Sequence, residues 1–391
     1  MRIPSCYTDG YNAARKMDRD AADAYIRHTT FGDPAADAAA ADLAGAVREG
    51  QEHRLIAAAL RNHRDPPPAT PESLRRLIAE AARVPDWYSR ETARIASRAF
   101  LRNSDIVMAA LSTAAIVEGF TTLISKSFRI RSRLINNGVR RLKQNLLQLM
   151  EQYVPGGVEP GGDAWRLSLR IRLVHAQSRA LIRTSEDWDE ATYGTPLSAS
   201  HMLLGAAAFC GRLMHHVERL GGSFTDEERE AYVHVWRYTA LTMGVPNSIL
   251  FEDMASALHS FNIATTCEPP PDEDSIILSN SIINSTPIIL GHRDPSRRRK
   301  HAAHYYQMSR ELIGDELADV LRFPEATRFR IVPLIRLRNR FLRRASKFVP
   351  PLRYRVSVGR FSQLLFVTDL GSLGHSYNLP DTVIDEESKE W

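Results

Sequence analysis

Cysteine is scarce in this sequence. Its 391 residues contain only Cys6, Cys210 and Cys267, and no C-x-x-C pair is present. Three widely spaced cysteines exclude the dense disulfide framework of small secreted domains and a cysteine-rich zinc site. The first 20 residues lack both an apolar core and a twin arginine, so they do not read as an export signal. We therefore expect a reducing, cytoplasmic setting.

Long apolar runs are also missing. The most apolar stretch, residues 106–117, is shorter than the roughly 20 residues that span a bilayer, and Glu118 follows it. It predicts a buried helix, and we expect no stable membrane insertion. Lys and Arg (51) exceed Asp and Glu (46) by five, an excess too mild to predict nucleic-acid binding.

Several familiar catalytic motifs are absent as well. The sequence has no G-x-x-x-x-G-K-[ST], G-x-G-x-x-G, H-E-x-x-H or G-x-S-x-G, so it offers no motif for a nucleotide enzyme, a zincin or an α/β-hydrolase. His292 and Asp294 form an H-x-D that could bind iron together with His375. Such triads usually sit in β-sandwiches, so we prefer a solvated loop before the basic run 297–300.

Helix signals dominate what is present. Thr70, Pro71 and Glu72 have the form of a helix start, and Thr225 with Glu228 has the form of a capping box. Asp163 predicts the start of a helix that runs to Arg183. Further helices are expected over 33–48, 54–61, 87–100, 104–125, 130–152, 200–220, 249–263, 301–321 and 331–348.

Strand signals are weak and confined to the end of the chain. Residues 353–358 and 364–367 contain some β-branched side chains and predict at most a minor hairpin. Residues 65–71 and 267–274 are proline-rich and are expected to be linkers, and no element is assigned to the mixed polar and apolar segment 275–290. The fold class is therefore all-α.

Composition divides the chain into three parts. Residues 1–65 are alanine-rich and predict a helical arm, residues 66–379 the main helical domain, and residues 380–391 an acidic tail. Within the main domain, residues 331–348 combine apolar positions with many arginines. Such a helix could lie on an anionic membrane or contact phosphates. We expect instead an outer structural helix whose apolar residues face the core.

Two histidines lie on long apolar helices, where a polar imidazole is unfavourable unless it has a hydrogen-bond partner or binds a ligand. His175 is one, and His201 begins the helix that contains Gly205 and the small residues 206–208. Small residues leave room for a bulky flat group, and a neutral histidine on such a helix is how helical proteins hold haem iron. A hydrogen-bonded core histidine is the alternative.

The order of several segments carries a family resemblance. The segments are VPDWYSRE (84–91), RLVHAQSRALI (172–182), YGTPLSASHMLLGAAAF (193–209) and LGGSFTDEEREAYVHVWRYTALTMGVP (220–246). Together they resemble the family of latex-clearing proteins (rubber oxygenases) and fungal MpaB-type oxygenases, over roughly residues 80–370. The resemblance implies a globin-like helical bundle that encloses haem b.

The resemblance also implies roles for particular residues. His201 matches the proximal iron ligand, whereas Ala206 stands where MpaB-like relatives carry a histidine, so the chain is closer to the latex-clearing branch. The distal lysine and threonine of that branch match Arg170 and Ile171, and the nearest match to its catalytic base is Glu151.

Two further side chains on the distal helix complete the expected site. Arg172 is expected as a second cation near the haem or a propionate, and His175 as part of the pocket or of its support. Arginine in place of lysine changes the expected chemistry. A guanidinium stays charged and is a poor iron ligand, but it is a good partner for bound peroxide, superoxide or a propionate.

We therefore expect a haem b-dependent oxidoreductase, an oxygenase or dehydrogenase of secondary metabolism. It would act on a small, largely apolar metabolite with O2 or peroxide. A haem-free helical binding or scaffold protein and a haem enzyme with isomerase-type chemistry are the alternatives. No nucleic-acid partner is expected, and homo-oligomerisation is left open.

Overall fold

A computed structural model describes residues 1–46, 52–131, 138–349 and 359. All regular elements in these residues are helices, so the all-α prediction is confirmed for them. The predicted strands 353–358 and 364–367 and the acidic tail 380–391 lie outside the described residues.

The helices follow one another along the chain with short connections. The first six are α1 (Thr8–Met17), α2 (Arg19–His28), α3 (Pro34–Ala46), α4 (Glu52–Arg61), α5 (Glu72–Ala81) and α6 (Arg90–Ala110). The next seven are α7 (Ile116–Gly119), α8 (Ile124–Arg131), α9 (Gly138–Gln152), α10 (Asp163–Arg183), α11 (Glu190–Tyr193), α12 (Ala199–Ala207) and α13 (Leu213–Arg219). The last six are α14 (Asp226–Thr242), α15 (Met254–Cys267), α16 (Glu273–Ile289), α17 (Pro295–Ile313), α18 (Asp315–Val320) and α19 (Val332–Phe348).

Local capping signals correctly marked several helix starts. The Thr225 hydroxyl accepts a hydrogen bond from the Glu228 amide, and the Glu228 carboxylate accepts one from the Thr225 amide. This is the reciprocal capping box that the sequence predicted. Asp294 likewise accepts from the amide of Arg297 and caps α17. The H-x-D motif is therefore a helix cap, and His375 lies outside the described residues.

The two helices predicted over 87–100 and 104–125 are wrong as separate elements. Helix α6 continues through the wide turn Leu111–Ala115 into α7, so that Arg90–Gly119 is one helix. Asn103 lies in its interior and donates to Ala99 O, which keeps its amide inside the helix. By length and composition this helix could cross a membrane, but 78% of its most apolar 18-residue stretch is buried within the protein. Buried core helices can have the same length and apolar composition as a membrane-spanning helix.

Helix α16 was not predicted. Its residues are rich in isoleucine, serine and asparagine, which have low intrinsic helix propensity. Asp272 caps the first turn by accepting from the amide of Ser275. Leu278, Ile282 and Ile283 are completely buried. Burial of this apolar face against the rest of the protein overrides the local preference.

The N-terminal residues contribute to the core. Tyr7, Tyr11, Tyr25 and Ile26 belong to the main buried cluster. Helices α3 and α4 pack with α5 and α10 in a second cluster around Trp165. Residues 1–46 therefore shape the interior of the main domain.

The expectation that the apolar residues of α19 face the core is wrong for most of them. Leu334, Leu337 and Phe341 are 64%, 67% and 67% exposed. The buried face carries Val332 and Asn339, and the Asn339 amide donates to Leu220 O. Polar contacts of this face, rather than the large apolar side chains of α19, therefore point inward.

Candidate active site

A large cavity lies between helices α8, α9, α10, α12 and α14 and the C-terminal end of the helix Arg90–Gly119. Its space, including the mouth, is about 1170 Å³. The apolar side chains of its wall are Ile116, Phe120, Ile124, Phe128, Ile171, Val174, Leu197, Met202, Phe209, Trp236, Met243 and Val245. An apolar cavity with few polar groups is the usual form of a small-molecule site.

One part of the wall is built from small residues. A Cβ added at Gly205 or Gly119 would meet no atom within 4 Å, so both glycines face open space. Ala206, Ala208 and Ala115 also line the cavity. Ala206 therefore lines the same cavity as Gly205, and its role beside a cofactor stays a prediction.

His201 lines this cavity from the first turn of α12 and is completely buried. Its Nε2 lies 3.0 Å from the hydroxyl of Tyr7, and its Nδ1 accepts from the Ser198 amide at 3.3 Å. The contact to Nδ1 is longer than a typical hydrogen bond and is the weaker of the two.

A buried carboxylate lies behind His201. Glu268 Oε1 is 3.4 Å from His201 Nε2 and accepts from the Tyr25 hydroxyl at 2.7 Å, while Oε2 accepts from the Leu123 amide at 2.9 Å. Burial opposes the charge of Glu268, but attraction to His201 and these hydrogen bonds outweigh it and lower the pKa. A carboxylate that holds one ring nitrogen is the usual support of a metal-ligating histidine.

His175 lines the same cavity from α10, so the structure brings both predicted histidines to one space. Ile171, the match to the distal threonine, lies one turn away on the same wall. The part of α10 that lines the cavity is therefore apolar except for His175.

The two predicted arginines of α10 lie elsewhere. Arg170 is not among the described residues that line the cavity, and burial together with the charges of Arg166 and Arg61 lowers its pKa. Arg172 is buried, and its guanidinium binds both carboxylate oxygens of Asp33. Neither arginine lines the cavity, although Arg172 borders a smaller adjoining pocket together with His175.

Glu151 is also outside the cavity wall. It is half-buried, and burial together with the nearby charge of Asp163 raises its pKa. No Asp or Glu occurs among the described residues that line the cavity. The role of Glu151 as a catalytic base therefore remains a prediction, and the position of Glu151 outside the cavity wall does not support it.

A polar stripe on α9 was missed by the sequence analysis. Arg141, Gln144, Asn145 and Gln148 follow the i, i+3, i+4, i+7 spacing of one helix face, and all four line the cavity. Gln144 Nε2 is buried without a hydrogen-bond partner, and Gln148 Nε2 has only a thioether, Met243 Sδ at 3.3 Å. In sequence, these residues look like the solvated face of an amphipathic helix.

The partners of His201 were missed for a different reason. Tyr7 precedes His201 by 194 positions, and Glu268 lies in the segment predicted to be a linker. No local spacing pattern connects these three residues. Only the packing of α12 against the N-terminal residues and α15 brings them together.

Comparison with known proteins gives the family. Residues 98–346, more than half of the chain, match the family described as ER-bound oxygenase mpaB/B′/rubber oxygenase, catalytic domain. The chain is 23% identical over 198 residues to a rubber oxygenase of Streptomyces sp. (strain K30). That match spans only about half of each protein, 49% of this chain and 47% of the relative.

A solved structure shows the same fold. The latex clearing protein LCP in its closed state superposes with a TM-score of 0.72 and 18% identity, covering 90% of this chain and 95% of that protein. Together with the family match, this establishes that the chain belongs to the MpaB/Lcp rubber oxygenase family of oxygenases.

Proposed function

We propose that this protein is a haem b-dependent oxidoreductase that oxidises a small, largely apolar metabolite with O2 or peroxide. The observation that carries the proposal is the apolar cavity with small residues, Gly205 and Ala206, in its wall and a buried histidine, His201, at its edge. An apolar space bordered by an oriented imidazole fits a haem.

His201 is the proposed iron ligand. Glu268 already holds its Nε2, as expected for a supported metal ligand. Both ring nitrogens have contacts in the present arrangement, so a haem iron would take Nδ1 only after release of the weaker contact, that to the Ser198 amide. His175 is the rival, since it also borders the cavity. Haem b, when bound, would supply the activation of the oxidant.

The polar stripe of α9 narrows the class of substrate that the cavity could bind. The Gln144 amide has no partner in the ligand-free cavity, so a ligand acceptor at this place would remove an unfavourable term of about 1–3 kcal/mol, which a wholly hydrocarbon ligand could not do. We propose an apolar substrate that carries one hydrogen-bond acceptor, which Gln144 and Arg141 bind. Arg141 is also the cation on this wall that could bind a haem propionate.

Proton transfer would fall to a histidine. Since no carboxylate lines the cavity among the described residues, His175 is the side chain best placed to hold or release a proton at the substrate. This replaces the proposed role of Glu151.

The decisive test is an absorption spectrum of the protein purified after haem-supplemented expression. A Soret band is expected. Its absence would favour the haem-free binding protein. Product analysis with and without O2 then separates oxidation from isomerase-type chemistry, because an isomerase would turn over equally well in both.

We also propose a cytoplasmic setting. Cys6, Cys210 and Cys267 are all free, as expected in a reducing compartment. A small substrate that enters the cavity is compatible with this location.

A further inference from the structure

Helix α19 carries an apolar stripe that nothing in the described part of the protein covers. Leu334, Leu337, Phe341 and Phe348 are between 64% and 84% exposed. Their spacing of three, four and seven residues places them on one face of an α-helix. Isolated exposed apolar residues are ordinary, but a stripe of four large ones on a single helix usually marks an interaction surface.

Loose attachment of α19 does not explain why the stripe is exposed. On the opposite face, Asn339 Nδ2 donates to Leu220 O at 2.8 Å, and Arg343 donates to Asn103 Oδ1 at 2.8 Å. Gly221 has φ +93°, and a Cβ there would lie 2.8 Å from Arg336 O. The helix is therefore held closely by one face, and the apolar stripe is directed outward.

Positive charge flanks the stripe. Helix α19 contains no Asp or Glu and has six cations: Arg336, Arg338, Arg340, Arg343, Arg344 and Lys347. Within the described residues, no ion pair involves Arg336, Arg340 or Arg344, and all three are exposed.

A shallow cleft beside the stripe extends the basic surface. Arg330, Arg336 and Arg340 line it together with Leu337. The acid of this cleft, Glu311, is already engaged, because its two carboxylate oxygens accept the amides of Ile331 and Val332. The cleft thus offers arginines without a competing free carboxylate.

We propose that α19 docks the protein onto an anionic lipid surface. The apolar stripe enters the boundary between headgroups and acyl chains, and the flanking arginines bind lipid phosphates. This is a peripheral contact and needs no membrane-spanning segment. A second copy of the chain is a poorer occupant, because stripe-to-stripe packing would bring two sets of six cations together.

The test is cosedimentation of the full chain with vesicles. Wild-type protein is expected to bind vesicles of phosphatidylcholine mixed with phosphatidylglycerol, to bind pure phosphatidylcholine much more weakly, and to lose affinity as salt rises. Leu337→Ser with Phe341→Ser, and separately Arg336→Glu with Arg340→Glu, should each lower the partition coefficient by about tenfold or more.

The control variant changes the net charge by the same amount as Arg336→Glu with Arg340→Glu, but on another surface of the protein. Arg297→Glu with Arg299→Glu lies on the exposed start of α17 and should change vesicle binding far less. Thermal melts should be close to wild type for all three variants, since these side chains are exposed.

Failure of the wild-type chain to bind the mixed vesicles would overturn the proposal. Equal losses in the α17 control would also overturn it, because binding would then reflect general charge. Sedimentation without lipid identifies the occupant in that event. A dimer that Leu337→Ser with Phe341→Ser dissociates would assign the stripe to a second copy.

Discussion

Glu268 Oε1 lies 3.4 Å from Nε2 of His201, and both side chains are buried from solvent. This contact joins the end of α15 to the first turn of α12. Tyr25 and the Leu123 amide satisfy the remaining capacity of the carboxylate. A buried anion is stable only with such partners, so the position of His201 depends on three distant segments.

Replacing Glu268 by Gln should weaken the support of His201. The amide keeps the shape but removes the charge, so we expect a loss of about 1–3 kcal/mol in unfolding free energy. If His201 binds haem, the reduction potential should also rise, because a neutral partner makes the imidazole a weaker donor. Urea unfolding and a spectroscopic redox titration measure the two effects.

Glu252→Gln serves as the control for that experiment. Glu252 is exposed and pairs with Arg237 at 2.9 Å, so its loss should cost less than about 1 kcal/mol. An unchanged potential in haem-loaded Glu268→Gln would show that His201 does not ligate the iron.

The two histidines of the cavity are distinguished by separate substitutions. His201→Ala should abolish haem retention or yield a spectrum that added imidazole restores, because the axial ligand is lost. His175→Ala should keep the iron ligated but lower turnover, since it removes the proposed proton carrier. Ferrous-CO spectra of both variants decide the assignment. The reverse pattern would make His175 the ligand.

Gln144→Leu should separate stability from ligand binding. Without ligand, the Gln144 Nε2 is a buried donor with no partner, so an apolar side chain of similar size should leave stability unchanged or raise it by about 1 kcal/mol. Substrate KM should rise about tenfold if the amide binds a polar group of the substrate. Thermal melts and steady-state kinetics give both values. Higher stability with an unchanged KM would refute the proposed contact.

Arg141 and Arg170 form a matched pair on neighbouring helices. Arg141 lines the cavity, whereas Arg170 lies among the like charges of Arg166 and Arg61. We expect Arg141→Leu to weaken haem or substrate binding by more than tenfold, about 1.4 kcal/mol or more, and Arg170→Leu to have a smaller effect. Haem titration of both variants measures this. A larger effect at Arg170 would restore the assignment that the family resemblance implied.

Glu118 should make stability depend on pH in the acid range. Burial opposes its charge, but His216 and Arg212 stabilise it and lower its pKa from 4.5 to about 2. This contribution is complete above the unfolded value and is lost as the pH falls toward 2. Glu118→Gln should therefore cost about 2–4 kcal/mol at neutral pH and much less near about pH 3.

Urea unfolding at both pH values tests this, with Glu218→Gln as the control. Glu218 of α13 pairs with Arg229 of α14 at 2.7 Å but is partly exposed, so its effect should stay below about 1 kcal/mol. A difference between wild type and Glu118→Gln that does not shrink in acid would contradict the pKa shift.

Local signals predicted the helices well where a cap and its partner lie within one turn. Thr225 and Glu228 are three residues apart, so their mutual hydrogen bonds follow from spacing alone. Helix α16 was missed because its helical state depends on burial of Leu278 and Ile282 against distant elements. Intrinsic propensity contains no term for such burial.

The sequence by itself also determined that His175 and His201 lie on apolar helices, and the structure brings both to one cavity. Tertiary structure alone decided that Gln144 and Arg141 line this cavity while Arg170 does not, and that Leu337 points outward. One residue along a helix rotates a side chain by about 100°, so orientation depends on which neighbours pack against each face. The contacts of His201 with Tyr7 and Glu268 join residues far apart in sequence, and only the packed helices specify them.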